Sequence, residues 1–224
     1  MMLNDHRIRI VIGHYGSGKT EFAVNYAMNL AKANKKVALA DLDIVNPYFR
    51  SREKERMLQE YGIKVIASYI KGSGSDLPAV TGDVLGPLQD KSYDVVLDVG
   101  GDAVGARALG RYKEYWKTED YDMFCVVNAN RPQTSELEGV LEHIYAIEKT
   151  SGAKVTGLVN NTHLLRHTTV EEVLKGQELC RKVSEVLRIP IKYITALREV
   201  GEKLSPTLEG EIMPIDMIMR EDWM

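Results

Sequence analysis

Short apolar runs alternate with longer amphipathic stretches along almost the whole chain. The runs at 7–13, 36–41, 63–68, 94–99, 122–128, 154–160 and 191–195 are mostly rich in Val and Ile and nearly continuous in apolar character. Strands buried on both faces of a parallel sheet read this way. Between them, 19–33, 51–60, 103–115, 134–150 and 169–187 carry helical patterns. In the fourth of these, Leu137, Val140, Leu141, Ile144 and Ile147 form a stripe at helical spacing. The alternation predicts an α/β fold, doubly wound around a mostly parallel sheet. No Pro/Ser-rich linker and no internal repeat interrupts it, so a single domain over 1–224 is expected. The least regular stretch is 71–90, with Gly72, Gly74, Pro78, Gly82, Gly86 and Pro87. It reads as loop with a short broken helix. The charge run SREKER at 51–56 reads as a solvated helix face.

Composition narrows the function classes. The chain has 224 residues, 44% hydrophobic and 27% charged, as in an ordinary globular protein. Lys plus Arg is 29 against Asp plus Glu at 32, a net charge of −3, so no nucleic-acid-binding footprint is expected. Two cysteines, Cys125 and Cys180, form no CxxC pair, which argues against a zinc site or disulfide framework and fits a reducing cytoplasm. No apolar run approaches the roughly 20 residues that span a bilayer, and the first residues contain no signal-peptide core.

The chemistry starts at GHYGSGKT, residues 13–20, directly behind the first apolar run. Gly13, four residues, then Gly18-Lys19-Thr20 is the complete phosphate-loop spacing G-x-x-x-x-G-K-[ST]. Glycines let backbone N–H groups turn inward, and the following helix contributes its positive end. Lys19 can reach β- and γ-phosphate oxygens, and the Thr20 hydroxyl can ligate Mg²⁺. The expected fold is therefore the three-layer P-loop NTPase sandwich. The candidate nucleotide-binding residues are Gly13, His14, Tyr15, Gly16, Ser17, Gly18, Lys19, Thr20 and Glu21.

A metal–nucleotide site also needs acids at the carboxyl ends of neighbouring strands. VALADLDIVNP supplies Asp41 and Asp43, and YDVVLDVGGD supplies Asp98. In an extended segment one of Asp41 and Asp43 faces away from the site, and Asp43 is the preferred ligand. Asp98 suits the strand-terminal Mg²⁺ role, and Gly101 can offer its N–H to a γ-phosphate, making 98–101 a nucleotide-sensing switch.

These motifs together resemble the MinD/ParA class of P-loop ATPases, the CobQ/CobB/MinD/ParA nucleotide-binding domain. The resemblance rests on GHYGSGKT with its long helix, on LDVGGD and on GLVNN, and it covers most of the chain. It implies an ATP- and Mg²⁺-binding homodimer, with ADP as product. Phosphate-loop roles fall on Gly16 to Thr20, water positioning on Asp43, the Mg²⁺-linked segment on Asp98 to Gly101 and base binding on Asn161. Ala196 and Leu197 would flank the base. Thr20, Asp43 and Asp98 are the candidate metal ligands, and Lys19, Asp43 and Asp98 the candidate catalytic set. One departure stands out. The family loop reads KGGxGKT, and its first lysine reaches across the dimer to the partner's nucleotide. Here that place holds His14, followed by Tyr15 where a glycine is usual. A histidine near its ordinary pKa of about 6.5 is mostly neutral at pH 7 and reaches less far. Arg50 or Arg52 is a candidate for the missing charge.

Three functions fit this sequence. The first is a Mg-ATPase whose hydrolysis switches the 46–52 and 98–101 segments, read by a protein partner or a second copy. The second is a small-molecule phosphotransferase or ATP-dependent ligase with an acceptor pocket near 71–90. The third is a low-turnover nucleotide-binding scaffold. A GTPase is disfavoured, since no NKxD follows the later strands. His163 and His167 lie four apart, but no third ligand accompanies them, so they read as surface or core histidines. The Met-rich tail IMPIDMIMREDWM lacks a basic face, so packing against the domain or a partner is expected, not membrane binding.

Overall fold

The computed structural model describes residues 4–43, 54–67, 82–118 and 120–219. Among them, eight strands form one sheet: β1 (Ile8–Ile12), β2 (Lys36–Leu42), β3 (Lys64–Ala67), β4 (Tyr93–Val99), β5 (Tyr121–Val127), β6 (Gly157–Asn160), β7 (Ile191–Leu197) and β8 (Glu211–Ile215). All neighbours pair in parallel, in the order β3-β2-β4-β1-β5-β6-β7-β8. The chain winds outward from β1 to β3, returns to β4 beside β1, and places β5 on the other side of β1. Chain ends that diverge in this way open a crevice at the carboxyl edge of the sheet. Within the crevice the register aligns Val11 with Asp98, and Asp98 with Asp41.

Helices cover both faces: α1 (Lys19–Lys32), α2 (Glu55–Glu60), α3 (Leu85–Gln89), α4 (Ala103–Leu109), α5 (Lys113–Thr118), α6 (Leu137–Ser151), α7 (Val170–Leu187) and α8 (Arg198–Gly201). β1 shows why both faces are apolar. Ile8, Ile10 and Ile12 join the core that also holds Leu109, Val140, Ile144, Ile147 and Val183. Val11, on the other side, packs with Phe22, Ala23 and Tyr26 of α1. The strand alternates sides at every residue, so its four apolar residues feed two cores.

The pattern-based elements recur with shifted ends. The expected strand at 154–160 begins only at Gly157, after Val155 and Thr156 have bonded to Glu148 and Met123. The expected helix at 103–115 breaks at Gly110 into α4, a tight turn and α5. The helix expected from 134 starts at Leu137, because Pro132–Thr134 form a separate turn. β8 was not anticipated. It contains Pro214, which has no N–H to give and is tolerated because β8 lies at the sheet edge, bonded only to β7. The short broken helix expected within 71–90 is α3; residues 71–81 lie outside the described residues, as do 46–52. The tail packs on the domain as far as Met219. Asn25 and Asp216 exchange two hydrogen bonds, of 2.9 and 2.8 Å. Residues 220–224 lie outside the described residues. Among the described residues no helix is long and apolar enough to cross a membrane.

Candidate functional site

The loop after β1 turns under the amino end of α1. Gly16 and Gly18 adopt φ of 78° and 83°, a left-handed backbone that side chains resist. The Ser17 amide donates to the His14 carbonyl at 2.9 Å and closes the turn. The loop is then tied to two acidic strand ends. Lys19 Nζ lies 2.7 Å from Asp43 Oδ2, and Thr20 Oγ1 donates to Asp98 Oδ2 at 2.7 Å. All four side chains are buried or nearly so. Asp41 is also buried, and its Oδ1 accepts the Asp43 amide at 3.1 Å. It thus orients Asp43 from the same strand end.

The electrostatics are those of a cation among acids. Burial works against the charged form of Lys19, but Asp98, Asp43 and Asp41 outweigh it and hold its pKa above the ordinary lysine value. Burial raises the Asp98 carboxyl to about 6, against the pull of Lys19 and the Thr20 hydroxyl and with a further push from Asp43. Gly101 packs on the loop itself: a Cβ there would lie 2.5 Å from the Gly13 carbonyl and 3.1 Å from the Tyr15 amide. The 98–101 segment therefore touches the phosphate loop by backbone.

A cavity of about 390 Å³ opens over the loop. Lys19, Thr20 and Asp43 form one end. Ala196, Leu197, Ile215 and Met219 form an apolar flank, with Asn161 and Thr195 between. Asn161 is held on both sides: Nδ2 donates to the Ser17 carbonyl at 2.7 Å, and Oδ1 accepts from Thr195 at 2.6 Å. Here it props the loop. The Glu21 carboxylate lines the cavity and accepts the Ile218 and Met219 amides at 2.6 and 3.2 Å, fixing the tail as a wall. Tyr15 is 61% exposed at the rim. His163 precedes the tight turn Leu165–His167 and His167 ends it, so the spacing of a regular α-helix does not apply to them. His163 lines the cavity, and among the described residues no group of three or more His, Cys, Asp or Glu side chains could hold a metal ion by itself. Arg50 and Arg52 lie outside the described residues.

The residues present fit a nucleotide with its metal. The Ser17 hydroxyl and Asp98 Oδ1 are buried without a protein partner. Unpaired buried oxygens beside a cation and a glycine cradle suit phosphate and a hydrated ion. Thr20 and Asp98 would hold Mg²⁺, which would neutralise phosphate charge. Two residues at this site escaped sequence reasoning, Asn128 and Arg131. Both donate to the Gly16 carbonyl, Arg131 at 2.8 Å and Asn128 at 3.4 Å. Their one sequence signal is position, directly after a strand that neighbours β1.

His14 turns away from the cavity. Its ring meets that of His143 on α6 edge-on, with centroids 5.7 Å apart. His143 Nε2 is buried without a partner. Burial pushes the His143 pKa down to about 4, aided by His14 and opposed by Asp102. The unfolded chain, near 6.5, binds that proton more tightly. Stability from this site is complete above pH 6.5 and is lost as pH falls toward 4, by about 2 kcal/mol at pH 5. His143→Leu is expected to flatten the fall in thermal midpoint between pH 7.5 and 5. Parallel curves for the two proteins would contradict this.

A phosphate loop, strand-terminal acids and a parallel sheet in this order define a P-loop nucleotide-binding protein. The chain belongs to the CobQ/CobB/MinD/ParA nucleotide-binding domain family, whose model matches residues 8–207. It is 28% identical over 188 residues to the cytosolic Fe-S cluster assembly factor CFD1 of Eremothecium gossypii, covering 80% of this chain and 61% of that protein. Among solved structures, it is similar to the cell division protein FtsY of Thermotoga maritima (TM-score 0.57, 23% identity, 86% of this chain and 63% of that one). It is also similar to chloroplast FtsY of Physcomitrella patens (TM-score 0.58, 18% identity, 96% and 64%). These structures share the fold. The chain spans less than two thirds of the length of each of these relatives.

Proposed function

We propose that the protein is a Mg²⁺-dependent ATPase that couples cleavage of the β–γ phosphoanhydride to a conformational switch. The observation that carries this is the pair of bonds from the loop to Asp43 and Asp98. Lys19 has to leave Asp43 to reach a phosphate, so ligand arrival is felt at the end of β2. Thr20 and Gly101 pass the same event to the end of β4. In the reaction a water oxygen bonds to the γ-phosphorus, and the bond to the β–γ bridging oxygen breaks. The electron pair leaves with ADP, and the water's proton passes to phosphate or solvent. Asp43, freed from Lys19, orients that water. The absence of an NKxD motif favours ATP over GTP.

The readout falls to a second copy or a protein partner, and exposed Tyr15 at the loop rim suits such a contact. Fe–S cluster assembly, the role of the Eremothecium gossypii relative, would reach this chain only through a partner's ligands. Its own cysteines are both buried. Burial pushes both thiols up, Cys125 to about 12, so neither is a ready thiolate.

Thermal unfolding with Mg-ATP and with Mg-GTP tests the reading. At a hundred times its dissociation constant a ligand stabilises by about 2.7 kcal/mol. For a chain of this size that is roughly 5–10 °C. The shift is expected with ATP and not with GTP. No shift with either, in folded protein, would overturn the proposal.

A further inference from the structure

The cross-dimer lysine of the family loop is replaced here by His14, whose ring faces His143 and not the cavity. A different cation stands over the loop. Arg131 follows β5 in the turn that leads to α6. This turn is braced throughout: the Arg131 amide donates to the Asn128 carbonyl at 3.1 Å, and Thr134 donates to the same carbonyl at 2.9 Å. Asn128 Oδ1 accepts the Asn130 amide at 3.0 Å and the His163 amide at 3.3 Å. The side chain that this turn presents is therefore aimed before any ligand arrives.

Arg131 Nε donates to the Gly16 carbonyl at 2.8 Å. A Cβ on Gly16 would lie 2.7 Å from Nε and 2.8 Å from Cζ, so the glycine makes room for the guanidinium. A guanidinium has five N–H groups, and this bond uses one. Among the described residues no carboxylate pairs with Arg131, although the chain has 32 acids. Arg131 lines the same cavity as Lys19 and Thr20. A planar fork of five donors with a fixed stem is suited to phosphate oxygens, more so than a histidine ring.

We infer that Arg131 is a phosphate ligand supplied in cis, which binds the terminal phosphate of ATP and makes the partner's lysine unnecessary for hydrolysis. It neutralises charge as the electron pair moves to the bridging oxygen, the part that an arginine finger plays when a second protein supplies it. A dimer then reads the nucleotide state and does not complete the site. This rests on the ATPase reading above.

The test measures binding of Mg²⁺ with a β,γ-imido ATP analogue, binding of Mg-ADP, and single-turnover ATP hydrolysis. The proteins are the natural chain, Arg131→Ala, Arg131→Lys and Lys19→Ala. Thermal midpoints without nucleotide check the fold, and Arg131→Lys keeps the charge should the alanine variant unfold. Arg131→Ala is expected to weaken the ATP analogue at least about tenfold more than ADP, and to slow hydrolysis at least about a hundredfold. Arg131→Lys recovers part of both. Turnover per chain in the natural protein stays constant as protein concentration rises. Equal losses for the ATP analogue and ADP would mean that Arg131 only props the Gly16 carbonyl, and would overturn the inference. Unchanged binding and turnover in Arg131→Ala would overturn it too, as would turnover that climbs with concentration. If the natural chain binds no nucleotide, the ATPase reading itself fails and takes this one with it. Binding lost in Lys19→Ala but intact in Arg131→Ala would remove only Arg131.

Discussion

Arg9→Met lowers the thermal midpoint by roughly 10 °C. Arg9 points from the middle of β1 into the α1 face and is 1% exposed. Its Nη1 bonds Asp94 at 2.5 Å, Nε bonds the Tyr26 hydroxyl at 3.1 Å, and Nη2 bonds the Asp5 carbonyl at 3.1 Å. Tyr26 and Tyr193 both donate to the Asp5 carboxylate, which Lys192 reaches at 3.0 Å. Methionine fills similar space but leaves Asp94, itself buried, with Lys35 at 3.7 Å as its one cation among the described residues. Removing one partner of a buried pair costs about 3–5 kcal/mol. In a chain of this length each kcal/mol moves the midpoint by about 2–4 °C. The lower end is expected, because Lys35 remains. Arg9→Lys should fall between, since it keeps the charge and loses the fork. Midpoints of these variants, with an Arg9/Asp94 double-mutant cycle, decide the matter. A loss below about 1 kcal/mol would show the network to be dispensable. Nucleotide response should persist in Arg9→Met at temperatures where it is folded.

The second large effect is on binding. Lys19→Ala is expected to weaken Mg-ATP at least about a hundredfold, since charge-assisted bonds to phosphate are each worth roughly 1.5–3 kcal/mol and Lys19 would make more than one. The same change leaves Asp43 and Asp98 without the cation that now offsets them. Carboxylates without the lysine beside an incoming polyphosphate add repulsion to the lost attraction. The fold is affected less than by Arg9→Met, because the cavity admits water to solvate Asp43. Titration by isothermal calorimetry tests this. Affinity within tenfold of the natural chain would remove Lys19 from the phosphate site.

The fold was legible because its signals are local. Continuous Val/Ile runs mark strands covered on both faces, and the stripe from Leu137 to Ile147 marks a helix with one face in the core. β8 was not legible, since EIMPI at an edge lacks both continuity and the expectation that Pro belongs in a strand. The loop GHYGSGKT and the acids Asp43 and Asp98 were legible because their spacing follows the strand ends. Arg131 and Asn128 were not. Nothing near them in sequence says that the end of β5 abuts Gly16; only the parallel pairing of β5 with β1 brings them there.

By itself, the sequence determined the element order, the parallel α/β class and the phosphate loop with its acids, since each depends on periodicity or spacing within a few tens of residues. The tertiary structure alone decided which cation stands over the loop, what Asn161 and Glu21 hold, and where a buried arginine finds its acids. Those contacts join residues 17 to 197 apart in the chain. Their geometry comes from strand register and packing, which no local pattern encodes.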